Sequence, residues 1–292
     1  MDLNGKKKVV VFGATGTQGG GLITHLLASK DWSITGISRK PDSAKSKSLI
    51  ERGVNIVQAD MSDLKSLENA MEGAYAVFSV QNESDYAGEI EQGNNVIKAA
   101  IKCRVDHLIY TASCGAKEGG RGVRYWEAKR EIMKTLRSSE IDYTILRPVS
   151  FMENYISDLD GLRRGLITGK LTPEKSLQLI SGFDIGSYAF NALQNKSKFL
   201  KKEIDIASQS INMNRIAETL SKVTKTQIVY KQIHQDFNRD DLEPSDAMSK
   251  WYQEFGYDED IPKLVSKWGI QPLLFEEWLE VVGITDLIKS NI

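Results

Sequence analysis

The chain has 292 residues, 41% of them apolar, and a formal net charge of -1, enough to bury the core of one large α/β domain with a smaller lobe. With no Lys/Arg tract beyond Lys6-Lys7-Lys8, it lacks the electrostatic footprint that direct nucleic-acid binding requires. No apolar run is long enough to span a membrane and no signal-peptide pattern precedes the first strand; Cys103 and Cys114 form neither a disulfide framework nor a zinc cluster, so a cytoplasmic protein without metal is expected.

The lysine run is expected to solvate the entry to a first strand, Val9 to Phe12. That strand runs into Gly13-Ala14-Thr15-Gly16-Thr17-Gln18-Gly19. The GxxGxxG spacing lets backbone turn tightly and approach a pyrophosphate, and the following helix, Gln18 to Ser29, turns its positive end toward the anion. Leu22, Leu26 and Leu27 give that helix its apolar face, and His25 on it reads as a packing histidine. Further strands are predicted at Ser33 to Ser38, Asn55 to Gln58, Tyr75 to Val80, His107 to Thr111 and Tyr143 to Leu146. Helices are predicted between them at Ala44 to Arg52, Asp63 to Met71, Glu89 to Cys103 and Tyr125 to Ser138. This alternation predicts a doubly wound parallel sheet, with ligands outside the carboxyl ends of its strands.

Beyond Asn154 the pattern loosens. Gly161 to Gly169 is glycine-broken; extended pieces are expected at Ser176 to Ile180, Glu203 to Ala207 and Gln227 to Ile233, and helices at Ile185 to Leu193, capped by Asp184, and around Asn214 to Lys222. The last part is rich in aromatics, Trp251, Tyr252, Phe255, Phe275 and Trp278, read as core. Residues 1–154 therefore form a nucleotide-binding core, and 155–292 mainly a smaller α+β lobe for substrate or partner, with some segments returning to the sheet. Cys103 reads as helix packing; Cys114, in a loop near the site, is either a redox-sensitive thiol or an inert small residue. His107 and His234 lack a constellation, and structural roles are expected for both.

The residue after the second strand lies near the adenosine ribose, where an acid suits a free 2′-hydroxyl and cations suit a 2′-phosphate. Here stand Ser38-Arg39-Lys40, so NADP(H) is favoured over NAD(H). A solvated basic turn before Pro41 is the alternative. Asp60-Met61 follows the third strand at the adenine edge, though Asp60 also reads as a helix N-cap.

The glycine loop, Ser38-Arg39-Lys40, Gln58-Ala59-Asp60-Met61 and Arg147-Pro148-Val149-Ser150-Phe151-Met152-Glu153-Asn154 together resemble the NmrA-like family, atypical members of the short-chain dehydrogenase/reductase superfamily. The resemblance implies a Rossmann-type domain preferring NADP, plus a small C-terminal lobe, in a family holding both reductases and dinucleotide redox sensors. It further implies that Gly13 to Gln18 hold the pyrophosphate, Arg39 and Lys40 the 2′-phosphate, and Asp60 and Met61 the adenine. By the same resemblance Val80, Gln81, Asn82 and Lys129 lie along the nicotinamide ribose, while Phe151, Met152, Glu153 and Asn154 line the nicotinamide and substrate cleft.

One departure from the family pattern is Tyr125-Trp126-Glu127-Ala128-Lys129, with Tyr where the family commonly has His. Positions four apart share a helix face, so Lys129 near the Tyr125 phenol would favour its ionised form and let Tyr125 protonate a developing oxyanion, with Ser113 adding a hydrogen bond. Alternatively Tyr125 only packs its ring at the helix entrance and Lys129 binds only ribose. The expected function is an NADPH-dependent reductase of a small carbonyl or related substrate. A redox-sensing regulator acting through a protein partner is the alternative, and a sugar-nucleotide epimerase would want a clearer basic site in the lobe.

Overall fold

The computed structural model describes residues 5–81, 85–117, 123–237 and 242–290. They fall into two compact units, one within Met1–Gly120, Arg124–Pro148 and Gly182–Asp205, the other within Arg121–Val123, Val149–Ser181 and Ile206–Ile292. In chain order the first unit comprises β1 (Lys7–Val11), α1 (Thr17–Ser29), β2 (Trp32–Ser38), α2 (Ala44–Glu51), β3 (Asn55–Gln58), α3 (Leu64–Met71), β4 (Ala76–Ser79), α4 (Tyr86–Lys102), β5 (His107–Thr111), α5 (Arg124–Ser138) and β6 (Tyr143–Pro148). The second contributes β7 (Ser150–Phe151), α6 (Leu159–Arg163), β8 (Leu166–Gly169) and β9 (Ser176–Ile180) before the chain returns to the first for α7 (Gly182–Gln194), α8 (Lys196–Phe199) and β10 (Lys202–Ile206). The second unit ends with β11 (Gln209–Asn212), α9 (Met213–Thr224), β12 (Val229–Gln232), α10 (Pro244–Glu254), α11 (Ile261–Trp268), α12 (Phe275–Val281) and α13 (Ile284–Lys289).

The first unit is a Rossmann-type seven-stranded parallel sheet in the order β10-β6-β5-β4-β1-β2-β3. Val9, Val10 and Val11 are fully buried, as are Ala76, Val77 and Phe78 beside them, because helices cover both faces and leave no polar side to alternate with. Order reverses at β1, whose neighbours are β2 and β4, so the carboxyl end of β1 is the switch point where such sheets bind ligands.

Helix α1 lies along α7 with almost nothing between the two backbones. A Cβ added at Gly21 would overlap the Gly182 carbonyl, and one at Gly186 would overlap the backbone of Gly21. Glycine inside a helix costs about 1 kcal/mol relative to alanine, and close approach is what Gly21 gains in exchange. His25 completes the seam, with Nε2 3.0 Å from Phe183 O and its ring 4.3 Å from that of Phe183. At the far edge, Arg147 on β6 donates to Asp205 at 2.8 Å and Glu203 at 2.9 Å, and Arg137 donates to Glu203 at 2.6 Å, tying β10 to the sheet. The Arg137 guanidinium holds the Glu203 carboxyl below its ordinary range.

In the second unit, β9 pairs antiparallel with β11 and parallel with the short β7, and β8 pairs parallel with β12. Met152, Leu162, Leu179, Ile216, Leu220 and Trp278 form its core.

Several expectations change. The glycine-broken stretch Gly161 to Gly169 holds the end of α6 and all of β8. Asp184 does not cap the helix after it but sits buried in the first turn of α7, which begins at Gly182. Phe275 and Trp278 are core, whereas Phe255 is 57% exposed. Lys8 is not a solvated lead-in: its ammonium donates to Ala70 O and Glu72 O at 2.9 and 2.8 Å, burial lowers its pKa, and Lys7 lies 4.0 Å over the Tyr75 ring. Cys103 closes α4 with its thiol 3.4 Å from Glu68 O, and Cys114 is buried in the turn after β5. Among the described residues no helix is long and apolar enough to cross a membrane.

His107, fully buried on β5, is structural. Thr144 donates its hydroxyl proton to Phe199 O at 2.8 Å, so His107 Nε2–H must be the donor in the 2.9 Å bond to Thr144. Burial, reinforced by the Lys196 charge, holds the imidazole neutral and drives its pKa to about 4. Between the ordinary value and that one, the unfolded chain takes up a proton that the folded chain refuses, so stability is lost on acidification. Acidification from pH 7 to pH 5 should therefore remove about 2 kcal/mol through this group. His107→Gln, which keeps a donor and cannot titrate, should lessen the pH dependence of urea unfolding by that amount.

Candidate functional site

Between β1 and α1 the chain turns at Gly13, whose φ of +64° is left-handed backbone that favours glycine. A Cβ there would lie 2.6 Å from Val80 Cγ1, and one at Gly19 would overlap the Gly13 carbonyl, so the loop is folded as tightly as glycine permits. Gly16 caps α1 without a side-chain hydrogen bond, and no acid stands in the first turn. The first amides of this helix consequently carry an uncompensated positive field. Gln18 holds a buried Oε1 with no partner among the described residues.

The loop opens into a cleft of about 540 Å³ lined by Gly13, Thr15, Arg39, Lys40, Asp60 and Met61, among others. Arg39 and Lys40 are exposed and pair with no acid among the described residues. Their turn is built by Ser38, already part of the Ser38-Arg39-Lys40 motif, and by two serines outside it. Ser38 Oγ accepts from Lys40 N at 3.1 Å, Ser46 Oγ donates to Lys40 O at 3.1 Å, and Ser43, the N-cap of α2, accepts from Ser46 N at 3.2 Å. The sequence signal was there in Ser43, a capping residue two positions after Pro41.

Asp60 is not the cap of α3; Asp63 is, accepting from Lys65 N at 3.0 Å and Ser66 N at 3.3 Å. Asp60 Oδ1 accepts from Ser62 N at 2.9 Å, closing the turn after β3. Asn95 on α4 donates to Met61 O at 3.1 Å and ties that turn to the helix.

At the end of β4, Val80 packs beside the glycine loop, and Gln81 is buried, donating to Ser79 Oγ at 2.8 Å while its own Oε1 lacks a partner among the described residues. Asn82 lies outside the described residues. Lys129 is buried and donates to Glu89 at 2.6 Å. Motif reading missed Glu89, which sits in the first turn of α4, where the helix field also favours a carboxylate. No hydrogen bond joins Tyr125, half-buried on α5, to Lys129 or to Ser113, which stands in the turn after β5. Beside this pair the Tyr110 hydroxyl is buried without a partner among the described residues, and burial with the Glu89 charge pushes its pKa well up. Phe151 to Asn154 belong to the second unit, where Phe151 pairs with Ile180 and Met152 enters the core.

A tight glycine turn, an uncapped helix start, two exposed cations and buried oxygens without donors among the described residues fit a dinucleotide. Comparison with known proteins agrees in kind. Residues 5–279 match the NmrA-like family. An NmrA-like family domain-containing protein of Dictyostelium discoideum is 28% identical over 269 residues, covering 86% of this chain and 88% of that protein. Among solved structures, NmrA, a negative transcriptional regulator in complex with NADP, superposes with a TM-score of 0.79 at 17% identity, covering 98% of each chain. An NADPH-dependent quinone oxidoreductase of Escherichia coli, complexed with NADPH, gives 0.75 at 23% identity, covering 94% of this chain and 99% of that one.

Removing one member of the Glu89–Lys129 pair leaves the other charge buried and alone. Glu89→Gln should therefore lower unfolding free energy by roughly 3–5 kcal/mol, and Glu89→Leu combined with Lys129→Met should recover most of the loss. Urea melts of wild type, single and double variants check this; equal losses in single and double variants would contradict a dry, mutually dependent pair.

Proposed function

The chain belongs to the NmrA-like family, and from that membership we propose that it binds NADP(H) in preference to NAD(H) and uses it to reduce a small carbonyl or related substrate. One observation carries the cofactor choice: Arg39 and Lys40, both exposed and unpaired among the described residues, stand at the end of β2 on the rim of the cleft. An acid there would accept from a free 2′-hydroxyl, whereas these two cations suit a phosphate.

In this reading the loop Gly13 to Gln18 holds the pyrophosphate through the amides its turn leaves free, the Gly16 N–H being given to Gly13 O at 2.9 Å, while Arg39 and Lys40 hold the 2′-phosphate, and Asp60 and Met61 the adenine. Gln81 and Lys129 lie toward the nicotinamide ribose. Bound NADPH supplies a hydride. Tyr125 donates its phenolic proton to the substrate oxygen as negative charge gathers there, and Ser113 adds a hydrogen bond to the same atom.

Glu89 favours a second reading. It neutralises the ammonium that the proton-donor role of Tyr125 requires nearby, and a chain whose Lys129 serves only as a tether suits an NADP(H)-sensing regulator that acts through a protein partner.

Calorimetric titration with NADPH, NADP, NADH and NAD tests the cofactor assignment. Arg39→Ala should weaken NADPH roughly tenfold to a hundredfold and leave NADH unchanged; equal affinity for phosphorylated and unphosphorylated forms in the wild type would reject the preference. A screen of carbonyl substrates then separates the two readings. Tyr125→Phe should reduce turnover by about a hundredfold or more with NADPH affinity unchanged. Unaltered turnover would remove Tyr125 as the acid, and tight binding without turnover on any substrate would favour the regulator.

A further inference from the structure

We propose that Gln92 reads the purine of the bound nucleotide, its amide pairing with the exocyclic 6-amino group; this rests on the NADP(H) reading above. Gln92 is three residues from Glu89 and three from Asn95, so the three polar side chains form one stripe along α4. Both ends of the stripe are committed. Glu89 accepts from Lys129 at 2.6 Å, and Asn95 donates to Met61 O at 3.1 Å. Gln92 is not: it is 8% exposed, and its Oε1 accepts nothing among the described residues.

Such an amide in a protein interior is unfavourable until a ligand satisfies it. Gln92 also lines the cleft, next to Asp60 and Met61, because the Asn95 bond draws the turn after β3 onto α4. Among the described lining residues it is the one with a carboxamide. The last torsion of glutamine is soft, so the amide turns toward an occupant without any shift of the helix. Arg39 and Lys40 on the same cleft supply the anionic end of the ligand with its partners, which leaves Gln92 for the uncharged base. A carboxamide matches adenine in two places, accepting from the 6-amino group and donating to the adjacent ring nitrogen. Asp60 also lines the cleft, with one of its two carboxylate oxygens, Oδ1, engaged by Ser62 N.

The test compares NADPH with an analogue whose purine carries hydrogen in place of the 6-amino group, by calorimetry on the full chain. Wild type should bind NADPH about tenfold more tightly than the analogue, the effect of one good hydrogen bond. Gln92→Leu should bring NADPH down to the level of the analogue and leave the analogue where it was, which also certifies an intact cleft. Should Gln92→Leu fail to fold, Gln92→Met carries the same comparison. Gln92→Glu, which keeps an acceptor, should retain the preference for the amine. Equal weakening of both ligands by Gln92→Leu, or weakening of neither, overturns the proposal while leaving the NADP(H) reading intact. Wild type that binds neither nucleotide overturns both.

Discussion

Everything in the first unit depends on two helix backbones lying against each other with no side chain between them. Gly21 on α1 and Gly182 and Gly186 on α7 allow this approach, and a methyl group at Gly21 or Gly186 would force the helices apart. The position of α1 fixes where its free amides point, and so fixes the anion seat at residues 13–18. Interiors are packed too tightly to absorb such a shift locally. The three consecutive glycines 19–21 thus do two different jobs: the first lets α1 begin close over Gly13, and the third lets it rest on α7.

The site is organised by two further elements with distinct physical characters. At the end of β2, a set of serine hydroxyls shapes an exposed turn and holds two cations forward into solvent, where they lose little hydration until an anion arrives. On α4, polar groups are instead withdrawn into the interior, each requiring a specific partner. Glu89 has found one in Lys129 and Asn95 one in Met61. Exposed charge gives steering and affinity, whereas buried polar groups give discrimination, because leaving them unpaired is unfavourable.

Much of this was legible in the sequence, for identifiable reasons. Strands β1 and β4 announced themselves through apolar runs, which both-sided burial demands, and β3 and β5 have the expected bounds. The glycine loop and the Arg39-Lys40 turn are local in sequence, so spacing alone displayed them. What stayed hidden depends on residues far apart in the chain. Glu89 meets Lys129 across 40 positions, and Arg147 meets Asp205 across 58, so neither pairing leaves a mark in a short window. Asp184 misled because an acid before an apolar run reads as a cap, yet α7 starts at Gly182, three residues before the expected Ile185. Arg147, one of the residues that carried the family resemblance, clasps the edge strand β10 through Glu203 and Asp205.

The return of the chain at Gly182 has a consequence for how the protein is made. During synthesis α7 and the edge strand β10 emerge only after β1 to β6 and Val149–Ser181 have been translated. The seam between Gly21 and Gly186 therefore cannot close until that late stretch of chain is available, and its closure spans a long loop rather than joining neighbouring elements.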